Sequence, residues 1–208
     1  MFTAMPGDRA RTVLQGTRFG DVRWVAETGS TNADALALAH QGDPEGIVLV
    51  ADHQTAGRGR HGRTWEAPAS ASLLVTVLLR PPTAVLGATT MAVALAASEA
   101  LEEVAGFAPR LKWPNDLVWP GDGSGPDRKL AGILAEAEWP PGSDIASGYR
   151  EPAPSSRAVV AVGMGVNVNW PTVLPPELDA IADLAVAASH IVGHEVDRED
   201  LLIAFRCV

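Results

Sequence analysis

The sequence predicts an α+β domain with a mixed, largely antiparallel sheet and helices packed on one face. Two apolar runs rich in β-branched residues, Gly46 to Asp52 and Ser72 to Leu79, have the length and composition of buried strands. A short strand is predicted before them, over Arg23 to Ala26, and turn residues bound four further strands, which favours hairpins. These four are Arg110 to Trp113, Leu117 to Trp119, Leu130 to Glu138 and Ala158 to Trp170. Strands and helices in this mixed order are typical of the α+β class.

Alanine-rich segments between the strands predict the helices. Ser30-Thr31-Asn32 has residue types that cap helices, and it opens an Ala/Leu-rich helix over Ala33 to Ala39. Gly87 to Gly106 predicts a long helix that a glycine ends. A helical pattern continues from Pro176 through His190, and a last helix begins near Asp197. The segment before the first strand is expected to be a polar leader.

Length and composition indicate one soluble globular domain over residues 1–208, with 47% apolar and 20% charged residues. The 16 basic and 25 acidic side chains give a net charge of -9, which argues against nucleic acid or anionic membrane as a partner. We expect no run of about 18 to 20 uncharged apolar residues and no secretion signal, and hence a cytoplasmic location. The single cysteine, Cys207, excludes a cysteine-rich zinc site.

Three arginines alternate with three glycines between Gly57 and Arg63. The segment superficially fits two phosphate-binding patterns, but both need a helix directly after the loop, and Trp65 to Ser70 leads into another strand. Guanidinium groups pair with phosphate or carboxylate in bidentate geometry, and glycine lets the backbone approach a ligand closely. The loop is therefore expected to order around a polyanionic ligand; a solvated surface loop is the alternative.

Three further segments carry polar groups or glycines at strand ends. Lys112-Trp113-Pro114-Asn115-Asp116 could direct a cation, an amide and a carboxylate at one ligand, or form a salt-bridged turn. Lys129, at the start of an apolar strand, is either a solvated edge residue or a candidate to stabilise charge in phosphoryl or acyl transfer. The two glycines of Gly163 to Asn169 indicate either a close approach to the backbone or a β-bulge.

Taken together, five motifs resemble, in order along the chain, the signature of biotin protein ligases. They are Gly29-Ser30-Thr31-Asn32, Gln54 to Arg63 (QTAGRGRHGR), Lys112 to Asp116 (KWPND), Lys129 to Leu134 (KLAGIL) and Gly163 to Asn167 (GMGVN). The similarity covers about residues 24 to 205 and corresponds to the catalytic domain of that family. It implies the biotin–lipoate ligase catalytic fold, which is similar to that of class II aminoacyl-tRNA synthetases. Two loops, Pro120 to Arg128 and Trp139 to Ser156, are longer than is usual in the family.

The resemblance implies an enzyme that uses ATP to convert biotin to biotinyl-5'-AMP and then transfers biotin to a specific lysine of a biotin carboxyl carrier protein. The implied partner is the carrier domain of a biotin-dependent carboxylase, and Mg²⁺ is expected to enter with ATP rather than at a high-affinity metal site. Neither the helix-turn-helix of repressor relatives nor the C-terminal β-barrel of the family is expected within this sequence.

The resemblance also implies residue roles, with Lys129 as the strongest candidate because its ammonium would bridge the biotin carboxylate and the α-phosphate. The implied catalytic residues are Lys129, Arg58, Arg60 and Asp116. The implied biotin-binding residues are Ser30, Thr31, Asn32, Gln54, Arg58, Gly59, Arg60 and Lys129. The implied ATP-binding residues are Arg60, Arg63, Lys112, Asn115, Asp116, Gly132 and Asn167.

Two other functions remain open at the level of sequence. One is a lipoate or octanoate ligase or transferase of the same fold, which would also modify a carrier lysine. The other is a truncated, noncatalytic module that binds biotin or its adenylate without completing transfer.

Overall fold

A computed structural model describes residues 5–121, 125–139 and 155–205 of the chain. The strands are β1 (Val22–Thr28), β2 (Val48–Gln54), β3 (Ser72–Leu79), β4 (Arg110–Lys112), β5 (Asp116–Trp119), β6 (Arg128–Glu138) and β7 (Val159–Asn167). The α-helices are α1 (Asp8–Leu14), α2 (Thr31–His40), α3 (Thr89–Ala105), α4 (Ala188–Val192) and α5 (Arg198–Ala204). Three 3-10 turns lie at Arg60–Gly62, Thr83–Ala88 and Pro176–Ile181.

These seven strands form one mixed sheet in the order β1-β2-β3-β7-β6-β5-β4. Strands β1 and β2 are parallel, and every other neighbouring pair is antiparallel. The predicted mixed, largely antiparallel sheet is confirmed, and β3 has the predicted bounds. All but the last residue of β3 are buried, because the strand lies in the interior of the sheet with layers on both faces.

The helices lie on both faces of the sheet, whereas the sequence predicted one face. Val50 and Val75 belong to the larger core with α3 and α5, while Leu49 and Leu78 pack with α2 on the opposite face. Helix α2 connects the parallel strands β1 and β2, and such a pair needs a crossover that covers one face. The largely apolar sequence of β3, with buried residues at successive positions, indicates the same two-sided burial.

Two segments differ from their predicted conformation. Residues 8–14 form α1 rather than a polar leader, although Ala10 is its one buried residue, which leaves little periodicity to detect. The predicted helix from Pro176 to His190 is a 3-10 turn followed by the short α4. Between them the backbone pairs with the start of β6, where the Lys129 N–H donates to Leu184 O at 2.7 Å. This tertiary pairing overrides the local helical pattern.

The helical stretch Thr83–Ala105 is long and apolar enough, by length and composition alone, to cross a membrane. No such run was expected from the sequence, and that expectation is wrong as regards length and composition. The stretch includes α3, whose Val93, Ala97 and Leu101 are buried in the larger core against the sheet. One side of α3 therefore packs inside this fold, while Met91 and Leu95 are exposed.

Some sequence predictions fall partly or wholly outside the described residues. Residues 122–124 of the first long loop and 140–154 of the second lie there, as does Cys207.

Helix α5 offers a test of how its first turn stabilises the fold. Asp197 caps the helix by accepting hydrogen bonds from the N–H groups of Glu199 and Asp200, and it pairs with Arg9 of α1 at 2.7 Å. Burial by itself raises the pKa of Asp197, but these N–H groups and the guanidinium outweigh it, so the net pKa lies below its usual value. We expect Asp197→Ala to lower the free energy of unfolding by about 1 kcal/mol at neutral pH, measured by urea denaturation.

The matched variant is Asp197→Asn, because asparagine keeps a capping oxygen but cannot titrate. A lowered folded pKa means that the carboxylate contributes stability above the unfolded value, 3.8, and loses it as the pH falls through the folded pKa. The stability difference between wild type and Asp197→Asn should therefore shrink in that acid range. A difference that stays constant with pH would contradict this assignment.

Candidate functional site

A cavity of about 320 Å³ lies on the α2 face of the sheet. It is bounded by the N-terminus of α2, the ends of β2 and β5, the central part of β6 and β7, the glycine–arginine loop (residues 57–63), and residues 181–185. The polar and charged residues that line it are Ser30, Thr31, Asn32, Gln54, Arg58, Arg60, Arg63, Thr64, Glu66, Asn115, Asp116, Lys129 and Asn167. Four cations face two carboxylates, so the lining favours an anionic ligand.

Neutral polar side chains form one end of the cavity. Ser30 occupies the N-cap position of α2, but its side chain makes no capping bond. Gln54 of β2 substitutes for it, because Gln54 Oε1 accepts from Thr31 N at 2.8 Å and from Thr31 Oγ1 at 3.1 Å. Among the described residues, Gln54 Nε2 has no hydrogen-bond partner, so it remains available as a donor. This end can hold an uncharged polar group by hydrogen bonds.

Asn32 lines the same end but uses its amide within the protein. Asn32 Nδ2 donates to Leu134 O at 3.1 Å and to Glu136 Oε2 at 2.8 Å, and Asn32 Oδ1 lies 2.7 Å from Thr76 Oγ1. Asn32 and Thr76 are buried. The side chain of Asn32 therefore shapes the wall of the cavity, and its predicted contact with biotin stays a prediction. Thr76 was not predicted as a site residue, although after Ser72 it is the only other hydroxyl residue in the sequence of β3.

The glycine–arginine loop forms a short hairpin beside the cavity. Trp65 N donates to Gly57 O at 2.9 Å, Gly59 N donates to Arg63 O at 2.6 Å, and Arg58 pairs with Thr64. The turn passes through His61 at φ 58° and Gly62 at φ +71°, both in the left-handed region. The next regular element is β3, so the prediction that no helix follows the loop is confirmed.

Each arginine of the loop already has a partner. Arg58 Nη1 lies 3.4 Å from Glu136 Oε1, and Arg60 Nη1 donates to Asn115 Oδ1 at 3.2 Å. Arg63 Nε donates to the Arg60 carbonyl at 3.3 Å. These contacts hold three like charges beside one cavity while leaving each guanidinium further N–H donors for a ligand.

A β-bulge in β6 turns Lys129 toward the cavity. Leu117 and Val118 of β5 oppose Ala131 and Lys129, so Leu130 has no opposite residue. The extra residue shifts the alternation of side chains by one, and Lys129 thereby shares a face with Gly132. Without the bulge, Lys129 would share the face of Ala131, which belongs to the larger core.

The ammonium of Lys129 is held by two contacts. Lys129 Nζ lies 2.7 Å from Asp116 Oδ1 and 5.3 Å from the centre of the Trp65 ring. Its side chain is 36% exposed, so it is accessible from the cavity. Asp116 therefore orients the ammonium, and the ring adds a cation–π contact.

Trp65 fills a slot that two glycines leave open. Gly132 and Gly165 are direct partners across β6 and β7. A Cβ at Gly132 would lie 2.8 Å from Trp65 Cζ3, and one at Gly165 would lie 2.7 Å from Trp65 Cζ2. Trp65 Nε1 is buried without a partner among the described residues, so it is a donor that a ligand could satisfy.

The structure decides between the two interpretations of the β7 glycines that the sequence left open, a β-bulge and a close approach to the backbone. Strand β7 pairs with β6 in continuous register, so a bulge is not their reason. The indole of Trp65 approaches Gly165, and the amide of Asn32 approaches Gly163. The close approach was one of the two predictions from the sequence, but Trp65 was not identified, because its position directly after the loop was its only signal.

The structure brings together every predicted site residue except Lys112. Lys112 lies exposed on the edge strand β4, and its neighbour Trp113 is 81% exposed. Asn167 reaches the cavity, but its Nδ2 donates to Lys129 O at 3.3 Å and Val186 O at 3.2 Å. Asn115 Nδ2 likewise donates to Ile133 O at 2.9 Å, which fixes the amide beside Arg60.

Within residues 5–121, 125–139 and 155–205, no three His, Cys, Asp or Glu side chains are grouped as a metal site. Asp116 and Glu66 are the carboxylates that line the cavity. Carboxylate oxygens suit Mg²⁺, which commonly binds through one or two carboxylates together with substrate phosphates. The donor set therefore fits a magnesium ion that arrives with a nucleotide.

Two proteins of known name are similar in sequence to this chain. A relative named biotin--[acetyl-CoA-carboxylase] ligase, from Mycobacterium tuberculosis, is 38% identical over 188 residues, which are 86% of this chain and 62% of the relative. The bifunctional ligase/repressor BirA of Bacillus subtilis is 34% identical over 83% of this chain and 47% of its own length. The chain thus spans less than two thirds of these relatives.

A solved structure is similar to this chain in fold, and a family model matches its sequence. The biotin protein ligase of Aquifex aeolicus, solved with biotin and ATP, has a TM-score of 0.66 and 31% identity, over 90% of this chain and 67% of that one. Residues 25–140, more than half of the chain, match the biotin/lipoate A/B protein ligase family. The chain therefore belongs to the biotin/lipoate A/B protein ligase family.

Proposed function

We propose that residues 24–205 form the catalytic domain of a biotin protein ligase, which activates biotin with ATP and transfers it to a lysine of a biotin carboxyl carrier domain. The observation that carries the proposal is the convergence of Lys129 and the glycine–arginine loop on one cavity whose far end is neutral and polar. Such a cavity suits a ligand with an uncharged polar head and an acidic tail. The names of the relatives favour biotin as that ligand.

The neutral end would bind the ureido ring of biotin. Gln54 Nε2 and the Ser30 hydroxyl supply hydrogen-bonding groups that have no partner among the described residues, while Thr31 is held in place by Gln54 Oε1. A ureido group has both donors and acceptors, so an uncharged set of amide and hydroxyl groups can satisfy it. The carboxylate of biotin would then point toward Lys129, Arg58 and Arg60.

In the first step, the biotin carboxylate would attack the α-phosphorus of ATP, forming an acyl–phosphate bond as the bond to pyrophosphate breaks. Negative charge builds on the phosphoryl oxygens, and the Lys129 ammonium would stabilise it. Asp116 holds that ammonium at 2.7 Å, so Lys129 is oriented before the substrates arrive. Magnesium bound with ATP would neutralise part of the triphosphate charge.

In the second step, the amine of the carrier lysine would attack the acyl carbon, forming an amide and releasing AMP. The attacking amine must lose a proton to a base, and the Asp116 carboxylate, which lines the cavity, would orient the amine and accept that proton. The nucleotide would be bordered by Arg60, Arg63, Asn115, Gly132 and Asn167. Lys112 lies outside the cavity and would reach the nucleotide only if the end of β4 moved. Loop closure would exclude water from the acyl adenylate.

We further propose a cytoplasmic location, the carrier domain as the macromolecular partner, and no nucleic-acid partner. The acidic net charge of -9 supports the last point, although the similar Bacillus subtilis protein is named a ligase and repressor. A lipoate or octanoate ligase is the second candidate, because the matched family includes lipoate enzymes. Competition between biotin and lipoate for binding, measured by calorimetry, distinguishes the two.

Removal of the Lys129 ammonium is expected to slow the first step. Lys129→Ala should lower biotin-dependent release of pyrophosphate by about 10²- to 10³-fold, the effect of deleting one group that stabilises transition-state charge. Lys129→Arg should retain part of the rate, because it keeps the positive charge.

The matched control is Arg128→Ala, which removes a cation from the adjacent position of β6 that does not line the cavity. Its rate should stay near that of wild type. Equal rates for wild type and Lys129→Ala would overturn the mechanism. A wild-type chain that binds biotin but releases no pyrophosphate would instead support the noncatalytic module.

Ligands are expected to order the glycine–arginine loop. Limited proteolysis with trypsin should cleave after Arg58, Arg60 or Arg63 more slowly when biotin and ATP are both present, because closure on the anions shields these sites. Cleavage elsewhere, such as after Arg110 on the edge strand β4, serves as the internal reference. Unchanged cleavage within the loop would argue against its closure.

A further inference from the structure

Glu136 does not line the cavity itself, but it contacts two residues that do, Asn32 and Arg58, and no sequence motif singled it out. It lies on β6 and, by strand alternation, on the same face as Gly132. Its two carboxylate oxygens contact different segments: Oε2 accepts from Asn32 Nδ2 at 2.8 Å, and Oε1 lies 3.4 Å from Arg58 Nη1. One side chain thereby links the start of α2 to the glycine–arginine loop.

The contact with Asn32 fixes the carboxylate in place. Asn32 is 4% exposed, its Nδ2 is shared with Leu134 O, and its Oδ1 lies 2.7 Å from Thr76 Oγ1. Glu136 is itself only 27% exposed. A buried, fully bonded amide resists movement, so the Glu136 carboxylate cannot turn away without leaving Asn32 Nδ2 short of a partner.

The contact with Arg58 is looser. The Arg58 side chain is 58% exposed, the separation of 3.4 Å is long for an ion pair, and the loop that carries it is rich in glycine. Glu136 is thus the fixed partner and Arg58 the adjustable one. A guanidinium has five N–H donors, so one contact with Glu136 leaves others free for a ligand.

We propose that Glu136 is a positioning residue that holds Arg58 beside the cavity and so prepares it to bind the carboxylate of the acid substrate. The inference rests on the proposed function, in which that acid is biotin. A side chain already restrained near its bound position loses less conformational entropy when the ligand arrives. Glu136 acts through Arg58 and does not contact the reacting atoms.

The test compares biotin with biotinamide, the uncharged carboxamide of the same molecule. Glu136→Gln keeps an oxygen that can accept from Asn32 Nδ2 but removes the charge that attracts Arg58. The dissociation constant for biotin should rise about two- to fivefold, the range for a half-exposed ion pair, and that for biotinamide should not change. Calorimetry on the full 208-residue chain measures both.

Two further variants isolate the contact. Glu138→Gln removes the same charge from the same face of β6, but Glu138 contacts His40 Nε2 at 2.7 Å, away from the loop. It should leave the ratio of the two dissociation constants unchanged. In an Arg58→Gln background, Glu136→Gln should have no further effect on biotin binding, because its partner is already gone.

Each of the following results would overturn the inference. Tighter binding of biotin by Glu136→Gln would mean that repulsion between two carboxylates outweighs positioning. Equal weakening of biotin and biotinamide would assign Glu136 to the structure of the wall alone. A wild-type chain that does not bind biotin would reject the proposed function as well, whereas normal wild-type binding with an unchanged ratio rejects only the role of Glu136.

Discussion

The site depends on one extra residue in β6. A strand with strict alternation could not present both Lys129 and Gly132 to one cavity, because residues three apart point to opposite faces. The bulge at Leu130 removes this conflict. Pairing of the Lys129 backbone with Leu184 and Val186 supports the distorted end of the strand, since it supplies hydrogen bonds there.

Concentrated positive charge is the second constraint on this cavity. The chain as a whole is acidic, yet Arg58, Arg60, Arg63 and Lys129 lie around one space. Among these, Arg58, Arg60 and Lys129 each have a partner on β5, on β6 or in the turn before β5, so the sheet side of the cavity holds the cations in place. The partners limit repulsion without a ligand, while exposure of the loop allows it to adjust when an anion binds.

The sequence predicted most of the strands and the convergence of the motif residues, and the reasons for its failures are physical. Strands were detected because their apolar runs are short and bounded by turn residues. The prediction that the helices pack on one face was wrong, because an apolar run does not show which element covers each face of its strand. The prediction of a helix in the segment before α4 was wrong, because the pairing of that segment with Lys129 is a long-range contact without a local signal.

Some residues of the site could be predicted from the sequence and others could not. Motif residues such as Lys129 and Arg58 carry the charge expected for the chemistry, so composition and spacing were enough to select them. Trp65, Thr76 and Glu136 act through their neighbours, and only coordinates show that Glu136 touches both Asn32 and Arg58. The bulge at Leu130 was equally invisible, since no glycine marks it.

The shape of the cavity depends on the absence of side chains at Gly132 and Gly165. The indole of Trp65 occupies volume that two methyl groups would otherwise fill. Residues 65, 132 and 165 are therefore constrained together. A larger residue at 132 or 165 requires a smaller side chain at 65, whereas a smaller side chain at 65 beside two glycines leaves an unfilled space. Among homologous chains, these three positions should covary, although they lie far apart in sequence.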